Sequence, residues 1–424
     1  MLYDNALLAI SYLETWRVTG RPMYAQVTED ILNYVIREMT DEKGGFYSAQ
    51  DADSEGVEGL FYTWRPEEVI TPLGKEEGLL FCDFYGITEE GNFDGRSVPF
   101  MEFSLDEFAE MRGKGVSHES LEAILDKAKK FLFKVRKVRP HPFKDDKIIT
   151  AWNGMMIEAF ARSGFYLRRD DYLEAAVKAA SFLKDNLWKA EEGRQEKILF
   201  RRYREGEVRF HASLDDYAFL IQALLTLFEV GAGSEWLKWA IELAAILEKQ
   251  FKAENGAFYQ TDGKDESLLV RKCHYSDGAE PSGNAVHAEN LLRLYQITSE
   301  KNYLRQAEDI FKATKRYIDA YSLGYCYHLK ALQRFYDQKK ATCVIQFNEK
   351  KEFREEIIDM LAHKVIPHYG LIMKEKDDGL EALLPIAKDL SNVSDKTRLS
   401  ICHEGVCSLL LEEKEAILKA IKDM

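Results

Sequence analysis

Two consecutive carboxylates, Asp215 and Asp216, are followed by Tyr217 and preceded by His211. A pair of carboxylic acids can supply the proton donor and the base or nucleophile of glycoside hydrolysis. A carboxylate or a histidine can also remove the proton next to a carbonyl group, as sugar epimerisation requires. The stretch therefore predicts Asp215, Asp216 and His211 as catalytic residues. A helix N-cap is the alternative role, above all for Asp215, because acidic side chains are favoured at helix starts.

The same stretch begins a unit that recurs along the chain. Each copy has an aromatic residue twenty positions after its first residue, and small residues two and twenty-four positions after it. The four copies begin at Asp4-Asn5-Ala6, Trp152-Asn153-Gly154, Asp216-Tyr217-Ala218 and Gly283-Asn284-Ala285. A fixed internal register of this kind is typical of repeat architectures.

Each copy predicts a pair of helices. In the first copy, apolar residues lie at helical spacing over 4–18, Thr19-Gly20-Arg21-Pro22 breaks the helix, and an amphipathic helix follows over 24–39. The first helix of each pair is the more apolar, which indicates an inner and an outer layer, as in an α/α toroid. Further pairs are predicted over 152–188, 215–251 and 283–318, with a degenerate pair over 67–137 and a short helix near 325–336.

The predicted fold is mainly α, an (α/α)6-type toroid of helical hairpins over residues 1–338. Five hairpins are counted, whereas a closed ring of this type needs six. After Lys340 the pattern changes to short apolar runs that alternate with helical ones. Strands are predicted at 343–347, 369–373 and 399–402, and helices over 350–363 and 413–422. This alternation indicates a small C-terminal α/β domain over 339–424.

The inner helices of such a ring start on one face, so we expect their first turns to line a common cavity. Polar and aromatic side chains at these starts are predicted to bind a hydroxyl-rich ligand. An acidic loop over 44–65 is flanked by aromatic residues and is expected to fold over the cavity mouth. The alternative for the asparagines is a hydrogen bond to the neighbouring hairpin, and for the loop acids it is exposure to solvent. The predicted substrate-binding residues are Asp4, Asn5, Asp51, Asp53, Trp64, Trp152, Asn153, Tyr217, Glu280, Ser282 and Asn284.

The composition argues against several classes of function. The formal net charge is −14 and no basic stripe occurs, which disfavours nucleic acid as a partner. The sequence has no run of 18 or more apolar residues and no N-terminal leader, so no membrane partner is predicted. The six scattered cysteines, Cys402 and Cys407 among them, are predicted to be reduced thiols of a cytoplasmic protein and not zinc ligands. No nucleotide-binding fingerprint is present, and no metal or cofactor is predicted.

Five motifs, in order, resemble the thioredoxin-domain-containing family that includes the spermatogenesis-associated thioredoxin-like protein and bacterial relatives. They are Met1–Leu8, Gly44–Glu55, Thr150–Gly154, Leu214–Ala218 and Asp277–Asn284. The helical part of that family is similar to N-acylglucosamine 2-epimerases and six-hairpin glycosidases, which implies a toroid with a sugar-like cavity. Its members begin with a thioredoxin-like domain and a first helical hairpin, both ahead of the motif at which this chain starts. The resemblance therefore implies a missing first hairpin, whose wall a thioredoxin-like domain or a partner chain is expected to cover.

Two classes of function follow from these expectations. The first is a carbohydrate-active protein that binds a small-molecule sugar or glycan and carries out glycoside hydrolase or sugar epimerase chemistry. The alternative is a non-catalytic helical module that binds a glycan or a protein and works with a thioredoxin-like domain. Inward-pointing carboxylates favour the enzyme, whereas carboxylates that cap their own helices favour the scaffold.

Overall fold

The computed structural model describes residues 1–424 except 113–116, 191–196, 265–267, 339, 348–350, 366–367, 375–379, 381–382, 385–395 and 404–405. The chain forms two compact units. The first unit comprises Met1–Ser48 and Asp146–Met424, and the second comprises Ala49–Asp145. The predicted division into domains at 1–338 and 339–424 stays a prediction.

The regular elements of the described residues are numbered in chain order. The helices are α1 (Leu2–Thr19), α2 (Pro22–Glu38), α3 (Pro66–Leu73), α4 (Lys75–Phe84), α5 (Leu105–Arg112), α6 (His118–Lys137), α7 (Thr150–Tyr166), α8 (Asp170–Asn186), α9 (Leu214–Glu229), α10 (Ser234–Gln250), α11 (Gly283–Thr298), α12 (Lys301–Ala320), α13 (Cys326–Tyr336), α14 (Lys351–Ala362) and α15 (Lys414–Asp423). The strands are β1 (Ala49–Gln50), β2 (Asp53–Ser54), β3 (Val57–Glu58), β4 (Lys144–Asp145), β5 (Ile148–Ile149), β6 (Trp188–Ala190), β7 (Lys197–Arg204), β8 (Glu207–His211), β9 (Thr342–Gln346), β10 (Gly370–Lys374), β11 (Arg398–His403) and β12 (Val406–Cys407).

Inner helices of the first unit pack side by side in chain order. Helix α1 packs on α7, α7 on α9, α9 on α11 and α11 on α13. Helices α2, α8, α10 and α12 pack outside α1, α7, α9 and α11, respectively. Nearly every residue of α7, α9 and α11 is buried, whereas α12 buries one face of a polar helix. The prediction of a mainly α fold with inner and outer helices is confirmed, but the hairpin predicted over 67–137 is not part of this row, because α1 packs directly on α7.

The small residues of the repeat let the two layers approach each other. All eight are buried: Ala6, Thr28, Gly154, Ala176, Ala218, Ala240, Ala285 and Ala307. At Gly154, a Cβ would lie 2.6 Å from the backbone carbonyl carbon of Phe219. Only glycine therefore permits this distance between α7 and α9. The fixed spacing of small residues in the sequence therefore corresponds to the positions at which the helices pack closely.

An antiparallel sheet is formed by β6, β7 and β8, which lie between α8 and α9 in the chain, and by β5, which precedes α7. The sequence interpretation missed it. Strand β7 pairs with β5, β6 and β8. The turn between β7 and β8 consists of Glu205 and Gly206, both with positive φ, as in the two-residue turns that match the twist of a hairpin. This hairpin places Arg201 and His211 close to the start of α9 in the chain.

The C-terminal strands and helices lie where the sequence predicts them, to within one or two residues. The sheet order is β10-β9-β11-β12, with β10 parallel to β9 and the other pairs antiparallel. Phe165 at the end of α7 shares a hydrophobic core with Ile345 of β9 and Ile417 of α15. The sheet and its helices therefore pack against the C-terminal ends of the inner helices.

Cys402 and Cys407 form a disulfide. They lie directly opposite each other on the antiparallel strands β11 and β12. The prediction that all six cysteines are reduced thiols is wrong for this pair. The sequence interpretation missed the disulfide because it did not predict β12, the strand that places Cys407 opposite Cys402.

The second unit has a hydrophobic core of its own, formed by α3, α4, α5, α6 and the segment around Trp64. The guanidinium of Arg139 lies 4.1 Å from the ring centroid of Trp64. The short hairpin β2–β3 is the predicted acidic loop, and its turn residues Glu55 and Gly56 both have positive φ. No helix of the described residues, in either unit, is both long enough and apolar enough to cross a membrane.

Candidate active site

Two carboxylates and an indole come together at the starts of the inner helices. Glu280, in the segment before α11, accepts a hydrogen bond from the indole Nε1 of Trp152 at 2.6 Å. The ring of Tyr3 packs edge-on against Trp152, with centroids 5.0 Å apart. Trp152 and Tyr3 belong to the first turns of α7 and α1, so adjacent inner helices supply these groups. Glu280 is thus held at a fixed place beside an aromatic wall.

Asp215, the second carboxylate, is half-buried in the first turn of α9. The side-chain amide of Gln260 donates a hydrogen bond to its Oδ2, and the backbone N–H of Gly283 donates a second one. Glycine is required at position 283, because a Cβ there would overlap Asp215 Oδ1. Two other segments of the chain therefore orient this carboxylate.

The electrostatics of the pair separate it from ordinary surface acids. Burial raises the pKa of Asp215, which hydrogen bonding by Gln260 and the charge of Arg201 partly offset. Burial also raises the pKa of Glu280, and the negative charge of Asp215 raises it further, against the opposing hydrogen bond from Trp152. Raised pKa values in a pair of neighbouring carboxyl groups are typical of acid–base sites, where one group must hold a proton near neutral pH.

Asp216 has a structural role, contrary to the prediction that it is catalytic. It is fully buried at the third position of α9 and forms a capping box with Ser213. Its Oδ2 accepts hydrogen bonds from the Ser213 backbone N–H at 2.8 Å and hydroxyl at 2.9 Å. Its Oδ1 accepts a hydrogen bond from the backbone N–H of Ala151 at 3.0 Å, which ties α9 to α7. Asp216 therefore has the capping role that was kept as an alternative above all for Asp215, while the negative charge of Asp215 acts on Glu280.

His211, the third predicted catalytic residue, lies at the end of β8. Its Nδ1 is 3.5 Å from Asp262 Oδ2, and its ring packs edge-on against Phe200. These contacts do not place it between the two carboxylates. Its catalytic role stays a prediction.

The asparagine column of the repeat serves the fold. Asn153 is fully buried; its Oδ1 accepts from the Phe46 backbone N–H at 2.8 Å and its Nδ2 donates to the Phe46 carbonyl at 2.9 Å. Asn284 binds the backbone of Phe258 in the same two-bond manner. In each case the partner follows the preceding outer helix, so the asparagine fastens one hairpin to the next. The ligand-binding role predicted for Asn153 and Asn284 is corrected accordingly.

Other predicted binding residues of the first unit are divided between core and surface. Tyr217 is buried, and its hydroxyl accepts a hydrogen bond from the Leu199 backbone N–H at 3.4 Å. Ser282 is the N-cap of α11. Asp4 is exposed in the first turn of α1, and the partly exposed Asn5 donates to its own helix start. Of this group only Asp4 and Asn5 keep a free edge for a ligand.

Asp51, Asp53 and Trp64 belong to the second unit. Asp51 and Asp53 are exposed, and their predicted contact with a ligand stays a prediction. Trp64 is buried in the core of that unit, which contradicts a ligand-facing role.

No known protein-family profile matches the chain. Spermatogenesis-associated protein 20 of Homo sapiens is 30% identical over 444 residues, which cover 96% of this chain and 56% of that protein. An uncharacterised protein of Caenorhabditis elegans is 30% identical over 432 residues, which cover 96% of this chain and 59% of that protein. The chain is similar to spermatogenesis-associated protein 20 over nearly its whole length. The resemblance read from the motifs is confirmed, and the chain spans little more than half the length of these relatives.

Solved structures with a similar arrangement include a D-mannose isomerase and a glycoside hydrolase of family 76 from Bacteroides thetaiotaomicron. The isomerase has a TM-score of 0.38 and 12% identity, and the match covers 74% of each chain. The hydrolase has a TM-score of 0.34 and 13% identity, and the match covers 78% of this chain and 80% of the other.

Sequence reasoning missed Arg201, Gln260 and Tyr3, which complete the surroundings of the two carboxylates. Arg201 lies on β7 and donates to the Ser213 hydroxyl at 3.0 Å, and Asp216 Oδ2 lies 3.4 Å from it. The apolar and aromatic residues Ile198, Phe200 and Tyr203 of β7, followed by the Glu205-Gly206 turn, were the available signal for the hairpin. Gln260 and Tyr3 carried no comparable signal, because only the packing of separate segments brings them to the site.

Proposed function

We propose that this chain acts on a small hydroxyl-rich substrate, of the sugar class, with Glu280 and Asp215 as its acid–base pair. The observation that supports the proposal is the pair itself: two neighbouring carboxyl groups, both with pKa values raised by burial, each oriented by a neutral hydrogen-bond donor. Burial raises the pKa of Asp216 as well, but that carboxylate is fully buried and bonded to Ser213 and Ala151, whereas Asp215 and Glu280 are only half-buried.

The surroundings of Glu280 and Asp215 support a different role for each carboxyl group. The negative charge of Asp215 favours the protonated form of Glu280, so Glu280 is the proton donor. Gln260, the Gly283 N–H and the positive charge of Arg201 favour the ionised form of Asp215, which is the base or nucleophile. Trp152 and Tyr3 add aromatic surface of the kind on which the apolar face of a sugar ring packs. Hydrolysis and epimerisation both need this combination of acid and base.

The test is a sugar panel on the purified chain with matched variants. Mannose, glucose, N-acetylglucosamine and their nitrophenyl glycosides are screened by thermal unfolding, since a ligand of the native state raises the unfolding temperature. Release of nitrophenol reports hydrolysis, and deuterium uptake from D₂O next to the carbonyl carbon reports epimerisation. Glu280→Gln and Asp215→Asn are each expected to lower turnover by at least about a hundredfold. Asp319→Asn, at an exposed acid on the outer helix α12, is the control and should leave turnover unchanged.

Turnover that survives both Glu280→Gln and Asp215→Asn would place the chemistry elsewhere. A panel without binding or turnover would favour the alternative function, a helical binding module. One observation favours that alternative: α1 and α13, at the two ends of the row of inner helices, carry exposed apolar side chains, with Val18 70% and Tyr336 73% exposed. In that case a protein partner, the thioredoxin-like domain implied by the family resemblance or another chain, would cover these helices.

A further inference from the structure

A cavity of about 350 Å³ lies among the inner helices of the first unit. It is lined by the later turns of α1, α7, α9, α11 and α13 and by the segment that leads into β10. Asp215 stands at the start of α9, whereas the cavity is reached at Gln222 and extends to Glu229 at the end of that helix. At 1.5 Å per residue, Gln222 at the near end of the cavity is about 10 Å along α9 from Asp215, and Glu229 is about 20 Å from it. The cavity is thus a separate feature from the proposed active site.

Its walls are charged, with an excess of cations. The cationic side chains are Arg17, Arg162, Arg293, Lys330, Arg334 and Lys364, and the anionic ones are Glu14, Glu158, Glu229 and Glu289. Six cations and four anions leave a formal charge of +2 in a chain whose net charge is −14. A positive cavity enclosed by an acidic protein concentrates small anions.

Ion pairs between neighbouring helices use most of these charges. Arg162 of α7 bonds Glu14 of α1 and Glu158 of its own helix. The other two bridges, each 2.8 Å long, join Arg293 of α11 to Glu229 of α9 and Arg334 of α13 to Glu289 of α11. Arg17 pairs with Glu14, and the Lys364 ammonium donates to carbonyl groups of α15. These pairs stabilise the packing of the helices and need no ligand.

Two groups are only partly satisfied by this network. Within the described residues, the Lys330 ammonium donates to the Tyr327 hydroxyl at 3.2 Å and lies 4.4 Å from the centroid of that ring, with no carboxylate within 4.0 Å. Glu289 is 3% exposed, and although its Oε1 pairs with Arg334, its Oε2 has no hydrogen-bond partner in the described part of the chain. A buried carboxylate oxygen without a donor is costly unless a bound molecule supplies one. The cavity therefore offers a cation without an ion-pair partner within 4.0 Å and one carboxylate oxygen that accepts no hydrogen bond from the described residues.

We propose that this cavity binds a small organic anion, a carboxylate or phosphate monoester that also carries hydroxyl groups. The anionic group would pair with the Lys330 ammonium, and a hydroxyl group would donate to Glu289 Oε2. The volume of about 350 Å³ is at the lower end of the range for small-molecule sites, which suits a molecule of monosaccharide size. This second site is independent of the chemistry proposed at Asp215 and Glu280.

Isothermal titration calorimetry with glucose 6-phosphate, gluconate and inorganic phosphate tests the proposal, with chloride at matched ionic strength as the reference. At least one of the two organic anions is expected to bind, and more tightly than inorganic phosphate, which lacks a hydroxyl-bearing carbon chain. Lys330→Gln is expected to weaken binding by at least about tenfold, because a hydrogen bond between charged groups is lost. Lys330→Arg should retain part of the affinity.

Lys312→Gln, at an exposed lysine on α12, is the matched control and should bind as the parent chain does. Asp215→Asn should also bind normally, which distinguishes this site from the proposed active site. Binding that Lys330→Gln and Lys312→Gln weaken equally would show a diffuse charge effect and overturn the proposal. An absence of binding by all three anions would overturn it as well.

Discussion

Asp215 and Asp216 are adjacent but differ in burial and in their hydrogen bonds, so the same substitution should affect the two residues differently. In Asp216→Asn, an NH₂ group replaces one carboxylate oxygen. Each oxygen of Asp216 accepts a backbone N–H, from Ala151 at 3.0 Å and from Ser213 at 2.8 Å. Either orientation of the amide therefore sets a donor against a donor in a fully buried place. The loss of one buried hydrogen bond and part of a helix cap should cost about 2–4 kcal/mol of the free energy of unfolding.

Asp215→Asn should leave the free energy of unfolding unchanged or raise it. Its partner Gln260 can turn its amide, because Gln260 Oε1 is buried without a partner in the described residues and would then accept from the new Asn NH₂. The substitution also removes a charge whose burial is unfavourable. Since burial raises the pKa of Asp215 in the native state, the native chain holds this proton more tightly than the unfolded chain does. The corresponding stability is present below the unfolded pKa, about 3.9, and is lost as the pH rises through the folded pKa.

Urea unfolding of the parent chain and both variants at pH 4 and pH 7 measures these effects. The stability of Asp215→Asn relative to the parent should increase from pH 4 to pH 7, whereas Asp216→Asn should be the less stable chain at pH 7. If Asp216→Asn unfolded like the parent and Asp215→Asn lost several kcal/mol at pH 7, Asp215 would be the structural residue and the assignment of the site would fail.

Two further predictions concern buried polar residues. Asn284→Ala should lower the free energy of unfolding by about 2–4 kcal/mol, because the backbone N–H and the carbonyl of Phe258 both lose their partner. The matched Asn5→Ala should change it by less than about 0.5 kcal/mol. Equal losses in urea unfolding would contradict the difference in burial between the two asparagines. His287→Leu should be at least as stable as the parent at pH 7, because both ring nitrogens of His287 are buried and have no hydrogen-bond partner among the described residues. Burial lowers the pKa of His287 from 6.5 to about 3, so the native chain loses stability as the pH falls from 6.5 to 3. His287→Leu lacks this titrating group and should unfold at a lower pH than the parent. Identical midpoints of acid unfolding would refute this.

The repeat register predicted the layers of the fold but not all of its parts. Small residues at fixed spacing identify the inner and outer helices, because close packing leaves no room for larger side chains at those places. The unit Ala49–Asp145 has no such register and forms its own core. The helices over 67–137, which were predicted to form a hairpin of the ring, belong to this unit. Helical periodicity shows that a helix has an apolar face, and it does not show which core that face joins.

The site at the start of α9 stays a proposal, but the sequence carried a signal for the role of Asp216. At the first position of the repeat, Asp216 corresponds to Asp4, Trp152 and Gly283, so the repeat as a whole does not require an acid there. This copy does require one, because α9 begins with the capping box Ser213–Asp216. The pattern of a serine followed three residues later by an acid was visible in the sequence, and it indicates a helix-capping role for Asp216.

The repeat also explains why one face of the inner helices is free to carry chemistry. The column of Asn153 and Asn284 is committed to fastening successive hairpins, since each asparagine binds the backbone of the preceding loop. The residue just before that column differs from copy to copy: it is Asp4, Trp152, Asp216 or Gly283. Asp216 bonds the Ala151 backbone N–H and Gly283 leaves room for Asp215, whereas Trp152 directs its indole N–H to Glu280. A helical repeat that assigns its hydrogen bonding between hairpins to one column can therefore place unrelated side chains, an indole from one copy and a carboxylate from the next, around one site.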